Sequence, residues 1–154
     1  MHYELEDQAL ALAEAGRLSE ALPRFAAAAA LSPSADGWRN VGHALSELER
    51  PAEALEQYMR ASRLAPAELL DDVADAHIAV ARHAQARGAA PHVVRASLEA
   101  SARLRPTIEV GRMLASAEHA AGLADGERGR WHEVLSRGNV WPAACSLQLV
   151  ARNV

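Results

Sequence analysis

The sequence lacks lysine, has a single cysteine and contains few aromatic or β-branched residues. Its 154 residues include six aromatic residues and 13 Val, Ile and Thr residues, fewer than a β-sandwich or barrel needs to fill its core. An all-β fold is therefore excluded. The lone Cys145 has no partner for an internal disulfide and no neighbouring Cys or His at a metal-binding spacing.

Long apolar runs are also missing. No stretch reaches 18 apolar residues, and the first 20 residues contain five acidic side chains where a signal peptide needs a basic start and an uncharged middle. We therefore expect a cytoplasmic protein that does not enter a membrane.

The short motifs that bind nucleotides or supply a catalytic nucleophile are absent as well. The sequence contains no GxGxxG, GxxxxGK or GxSxG, and the segment His132–Ser136 does not complete the zinc-protease motif HExxH. His77 and His83 are six residues apart, which places them on different faces of a helix. We predict no catalytic residue, no cofactor and no metal site, and we therefore expect that the protein is not an enzyme.

Alanine and arginine dominate what is present. There are 36 Ala residues, which leaves 41 larger apolar side chains for the core of a modest helical domain, and all 16 basic residues are Arg, a composition typical of GC-rich bacterial genomes. Residues 1 to 75 carry 14 acids and 6 Arg (net −8), whereas residues 76 to 154 carry 6 acids and 10 Arg (net +4). The basic half has no dense Arg cluster with interleaved aromatics, so nucleic acid is not an expected partner.

An internal repeat is the strongest pattern. Three segments end with a small residue, two spacers, Leu, one spacer and Pro; they are Ala28–Pro33, Ala61–Pro66 and Ser101–Pro106. Eight residues before each Pro stand Phe25, Tyr58 and Leu98, and twelve residues before it stand Ala21, Ala54 and Val94. The middle segment is also preceded by Trp38, Val41, Gly42 and Leu45, with Gly42 and Ala54 small enough for two helices to approach closely.

These residues resemble the tetratricopeptide repeat. The resemblance implies an all-α fold, a right-handed α-solenoid of antiparallel helix pairs that forms a single domain over residues 1 to 154. The expected repeats are 2–34, 35–68 and 69–106, followed by a degenerate fourth repeat at 107–138 and a capping tail at 139–154.

The third and fourth repeats depart from the regular spacing. Pro106 lies 40 residues after Pro66, whereas Pro66 lies 33 after Pro33, so we predict a first helix of about five turns over residues 69–87, a stop at Gly88 and a second helix from Pro91. The apolar stripe predicted for that long helix is Leu70, Val73, His77, Val80 and Ala84. In the fourth repeat we expect a first helix up to Gly122 and a second over 127–137 that includes Trp131. The tail, with Trp141, either caps the stack or docks a partner.

The resemblance also implies where a partner binds, because first helices of successive tetratricopeptide repeats line a concave groove. The corresponding positions in the first repeat are Tyr3, Glu6, Asp7, Leu10 and Glu14, and in the second they are Asp36, Arg39, Asn40, His43 and Glu47. In the third repeat Asp75 faces the groove in both possible registers, with Asp71 or Asp72 beside it. A groove this acidic favours a basic or Arg-containing segment, with Asn40 able to hydrogen-bond its backbone.

The expected function is therefore a non-catalytic protein–protein interaction module. It would act as an adaptor, scaffold or small chaperone that holds a peptide or helical segment of a partner in the groove. Two alternatives remain open. The chain could be a regulatory or substrate-delivering subunit of a separately encoded bacterial enzyme, or it could be a type III secretion translocator chaperone, since those chaperones are similarly short. Diverged end repeats and bipolar charge also allow self-association.

Overall fold

A computed structural model of the chain describes residues 2–122, and these residues form seven α-helices without a strand. The helices are α1 (His2–Glu14), α2 (Leu18–Leu31), α3 (Ala35–Glu47), α4 (Pro51–Leu64), α5 (Leu70–Ala86), α6 (Pro91–Leu104) and α7 (Ile108–Ala120). The described part of the chain is thus all-helical, as predicted. The predicted second helix of the fourth repeat at 127–137 and the tail at 139–154, with Trp131, Trp141 and Cys145, lie outside the described residues.

The chain divides into two compact units, an N-terminal unit (Met1–Leu69) and a C-terminal unit (Leu70–Val154). Within the N-terminal unit α1 packs on α2, α2 on α3 and α3 on α4. Within the C-terminal unit α5 packs on α6, and α6 packs on α7. Packing between consecutive helices therefore builds each unit, and the division falls at the predicted end of the second repeat.

Proline residues and polar caps fix where helices start and stop. Pro51 and Pro91 occupy the first turns of α4 and α6, where a missing N–H costs no hydrogen bond. Ser34 Oγ accepts a hydrogen bond from the Gly37 amide at 3.0 Å and so caps α3. Thr107 Oγ1 caps α7 in the same way. The predicted long helix is confirmed as the 17-residue α5, and the predicted helix start at Pro91 is confirmed too.

One turn recurs after every odd-numbered helix. A residue with positive φ stands two positions beyond the end of α1, α3, α5 and α7: Gly16 (74°), Glu49 (57°), Gly88 (68°) and Gly122 (68°). In each turn its amide donates a hydrogen bond to the carbonyl three residues earlier, at 2.9 to 3.0 Å. Three of the four residues are Gly, which adopts this conformation without steric cost, and Glu49 is the exception.

The core of the N-terminal unit depends on a close approach between α3 and α4. Tyr58 and Leu45 are buried, and a Cβ atom added to Gly42 would lie 2.8 Å from Tyr58 Cε1. The predicted close approach at Gly42 is therefore confirmed. Trp38, one residue of the repeat pattern, is only half-buried, and the Arg60 guanidinium covers its ring with Cζ 5.2 Å from the ring centroid.

The core of the C-terminal unit joins α5, α6 and α7. It consists of Ile78, Ala81, Val94, Leu98, Ala102, Val110, Leu114 and Ala117. The apolar stripe predicted for α5 is wrong in detail, because α5 buries Val73, Ala74, Ala76, Ile78 and Ala81. The predicted residues His77 and Val80 are only half-buried. Alanine is so frequent here that the buried face cannot be read from the larger side chains alone.

The positive φ of Glu49 generates a first prediction. Glu49→Gly should raise the free energy of unfolding by about 0.5–1 kcal/mol, because an L-residue in this conformation is strained and Gly is not. Gly16→Ala is the matched reverse change: nothing lies within 4 Å of the added Cβ, so only the backbone conformation is tested. It should lower the free energy of unfolding by about 1 kcal/mol. Urea denaturation measures both, and a loss of stability in Glu49→Gly would contradict the common turn geometry.

The contact between Gly42 and Tyr58 generates a second prediction. Gly42→Ala should destabilise the protein by about 1–2 kcal/mol, since the clash with the ring outweighs the gain of about 1 kcal/mol in helix propensity. Glu47→Ala, at an exposed site of the same helix, is the control and should change stability by less than about 0.5 kcal/mol. A higher denaturation midpoint for Gly42→Ala would show that the two helices are not held this close.

Candidate partner-binding surface

The groove residues predicted in the N-terminal unit all reach its surface. We call nine of them the first-helix face; these are Tyr3, Glu6, Asp7, Leu10, Asp36, Arg39, Asn40, His43 and Glu47 on α1 and α3. Two of its large side chains are exposed to an unusual degree, with 69% of Tyr3 and 43% of Leu10 accessible to solvent. Glu6, Arg39 and Asn40 are half-buried, and the remaining four are exposed. None of them belongs to the buried core of this unit.

In the N-terminal unit, the acids of the first helices of each expected repeat (α1 and α3) and those of the second helices (α2 and α4) differ in whether an Arg side chain pairs with them. At the start of α2, Arg17 hydrogen-bonds Glu20 at 2.6 and 2.7 Å, and on α4 the corresponding pair is Arg50 with Glu53. These hydrogen bonds lower the pKa of Glu20 and of Glu53. Glu56 of α4 is also paired, with Arg60 at 2.8 Å. The second helices therefore carry internally compensated acids.

The acids of the first-helix face have no such partners. Among the described residues, Glu6, Asp7, Asp36 and Glu47 take part in no ion pair. The N-terminal unit as a whole has 11 acids and 6 Arg, a net charge of −5. Four of the acids without an Arg partner therefore lie on the side that α1 and α3 present.

A small pocket opens beside this face. It has a volume of about 160 Å³ and lies where α1, the end of α2 and the start of α3 meet. Phe25, Ala28 and Ala29 form its apolar floor, and its rim includes Tyr3, Glu6 and Ser34. Two predicted groove residues, Tyr3 and Glu6, thus come together at one cavity. The residues of α2 and of the Ser-Pro-Ser turn were not predicted, although that polar turn between two helices is a signal that could have identified them.

His43 also contacts Tyr58, a buried residue of the core. Its Nδ1 atom lies 3.1 Å from the Tyr58 hydroxyl, and the two rings meet edge to face with centroids 5.5 Å apart. Ser46 Oγ lies 3.4 Å from the same hydroxyl. His43 therefore orients the buried Tyr58, and its availability to a partner is limited to its exposed edge.

In the C-terminal unit, the two predicted acids Asp71 and Asp75 are paired within the chain. The Arg105 guanidinium reaches Asp71 Oδ1 at 3.3 Å and also hydrogen-bonds Asp75. Both carboxylates are largely exposed, so the pair contributes at most about 1 kcal/mol to stability. Arg105 offsets one of the two negative charges, and the site is less acidic than the sequence suggests.

A second pocket in the C-terminal unit has a different chemical character. Its volume is about 280 Å³, and it lies between the α5–α6 turn and α7. Its lining includes Val94, Met113 and Ala117 but no charged side chain. Its lining therefore offers no charged group that would distinguish one ligand from another.

Within residues 2–122, no group of three or more His, Cys, Asp or Glu side chains is arranged to hold a metal ion. None of the seven helices in this range has both the length and the apolar character required to cross a membrane.

Comparison with protein-family models yields no match, and comparison with curated proteins yields none either.

One histidine links protonation to stability. Burial lowers the pKa of His77 on α5 below its ordinary value of 6.5. The folded state therefore favours the neutral ring, while the unfolded chain takes up the proton at higher pH. The contribution of this residue to stability is complete above pH 6.5 and is lost as the pH falls through and below that value.

A third prediction follows from His77. The free energy of unfolding of the wild type should fall between about pH 7 and pH 5, and His77→Gln should reduce that fall because Gln does not titrate. Urea denaturation at several pH values measures this. An unchanged pH dependence in His77→Gln, or an NMR titration midpoint for His77 at or above 6.5 in the folded protein, would contradict the assignment.

Proposed function

We propose that the chain is a tetratricopeptide-like protein, a right-handed α-solenoid whose fourth repeat and tail complete the stack. The recurring positive-φ turn after α1, α3, α5 and α7 supports this proposal, because the same local turn stands at the middle of each expected repeat. The pairing of α1 with α2, of α3 with α4 and of α5 with α6 supports it too. The fourth turn, at Gly122, stands at the expected end of the first helix of the fourth repeat.

The proposed function is that of a non-catalytic interaction module that binds a segment of another protein. The observation that carries it is the contrast between the two classes of helix in the N-terminal unit. Glu20, Glu53 and Glu56 on the second helices are neutralised by Arg, whereas the acids of the first-helix face are not. Uncompensated like charges repel one another, so a surface that keeps them is suited to a partner that supplies the opposite charge.

The chemistry of the first-helix face also indicates the kind of partner. Its acids favour a segment that contains Arg or Lys, and the exposed Tyr3 and Leu10 offer apolar contact to the same segment. Asn40 is half-buried in the middle of α3 and carries both a donor and an acceptor, so it can hydrogen-bond a peptide backbone in either direction. The partner is therefore a basic segment with apolar residues, and we propose no catalytic role for this surface.

The test is selection of peptides from a displayed library of random 12-residue sequences, followed by binding measurements with the best synthetic peptide. We expect the selected sequences to be enriched in Arg and Lys, with affinity that falls as salt rises. Combining Glu6→Gln, Asp7→Asn and Asp36→Asn should weaken binding about tenfold, and Asn40→Ala should weaken it as well. Fluorescence anisotropy measures both effects.

Glu56→Gln is the matched control for that experiment. It removes one acid from α4, outside the first-helix face, and should leave the affinity within about twofold of the wild type. Circular dichroism confirms that each variant remains folded. The proposal fails if no peptide is enriched, or if Glu56→Gln weakens binding as much as the changes on α1 and α3.

A further inference from the structure

The pocket between α1, α2 and α3 is too small for a cofactor. At about 160 Å³ it lies well below the volume of about 300–1,000 Å³ that small-molecule and cofactor sites occupy in proteins. A cavity of this volume accommodates one side chain of a bound segment. It also adjoins the first-helix face, since Tyr3 and Glu6 belong to both.

The lining of the pocket is apolar at the bottom and polar at the rim. Phe25 is 5% exposed, and Ala28 and Ala29 beside it are also buried. The side chains that form the floor therefore present only carbon atoms to the cavity. At the rim stand the Glu6 carboxylate, which has no ion pair among the described residues, and the hydroxyl of Ser34. A side chain that matches this lining has an aliphatic stem and a polar head.

The charge of that head follows from the side chains around the rim. No Arg or His lines the pocket, and the nearby part of α1 carries Glu6 and Asp7 without a basic residue in the helix other than His2. The starts of α1 and α3 each add a partial positive charge of about half a unit, but Asp36 in the first turn of α3 and the Glu6 carboxylate at the rim offset it. A cation is therefore favoured over an anion.

We propose that this pocket holds an arginine side chain of the partner segment. The stem packs on Phe25, the guanidinium pairs with Glu6, and the largely exposed ring of Tyr3 stacks on the guanidinium plane. Arginine fits better than lysine because its planar head combines a carboxylate pair with ring stacking. The inference rests on the proposed function and names the residue of the partner that anchors it.

The pocket can be tested with a probe that does not depend on finding the partner. The probe is N-acetyl-L-arginine amide, and its neutral isostere N-acetyl-L-citrulline amide is the control ligand. We expect the arginine probe to shift the amide resonances of Tyr3, Glu6, Ser34 and Gly37 with about millimolar affinity, and the citrulline probe to bind at least about fivefold more weakly.

Matched variants complete the experiment. Glu6→Gln should weaken the arginine probe at least about fivefold, whereas Glu56→Gln on α4 should leave its affinity unchanged. Equal affinity for the arginine and citrulline probes, or shifts that Glu6→Gln does not alter, would overturn the inference.

The library peptides separate this inference from the proposed function. If selected peptides depend on Asn40 and on the acids of α1 and α3, but no single Arg→Ala change in them matters, the pocket inference fails while the proposed function stands. If the arginine probe binds as expected but no peptide does, the proposed function fails and the pocket remains only a site for free guanidinium groups. A selected peptide that loses at least about fivefold affinity on one Arg→Ala change, and shows no further loss on Glu6→Gln, supports both.

Discussion

The close approach of consecutive helices is the constraint on which the rest of this structure depends. Among the described residues, 12 of the 23 buried apolar residues are Ala, which brings little apolar surface to the core. Such a core excludes water only if the helix axes come close together, as they do where Gly42 meets the ring of Tyr58. The positive-φ turns after α1, α3 and α5 connect these helices to α2, α4 and α6 within three or four residues, so each pair packs together.

The arrangement of charge is a second consequence of this helix pairing. Second helices begin next to the turn, where Arg17 and Arg50 lie within reach of an acid three residues later and neutralise it. α1 contains no Arg, and Arg39 of α3 forms no ion pair with Glu6, Asp7, Asp36 or Glu47, so these acids keep their charge. That asymmetry supports the proposal that a basic segment binds there, since internal pairing would leave nothing for a partner to neutralise.

How much the sequence could predict depended on whether a feature is local. Helix ends were predictable because Pro51, Pro91 and Gly88 act on their immediate neighbours, and the length of α5 followed from them. The buried stripe of α5 was not, because its buried Ala residues carry no pattern in a sequence so rich in Ala. The pairing of Arg105 with Asp71 spans 34 residues, and the pocket combines three helices, so neither could be read from local periodicity.

Binding of a basic segment to the sides of α1 and α3 that carry the uncompensated acids can be mapped residue by residue. The experiment is an amide NMR titration of the isotope-labelled protein with the best library peptide. We expect the shifts to concentrate on α1, on α3 and around the pocket, and to shrink as salt increases. Shifts confined to α2 and α4, where the acids are already paired with Arg, would show that the peptide binds elsewhere and that the first-helix face is not the binding surface.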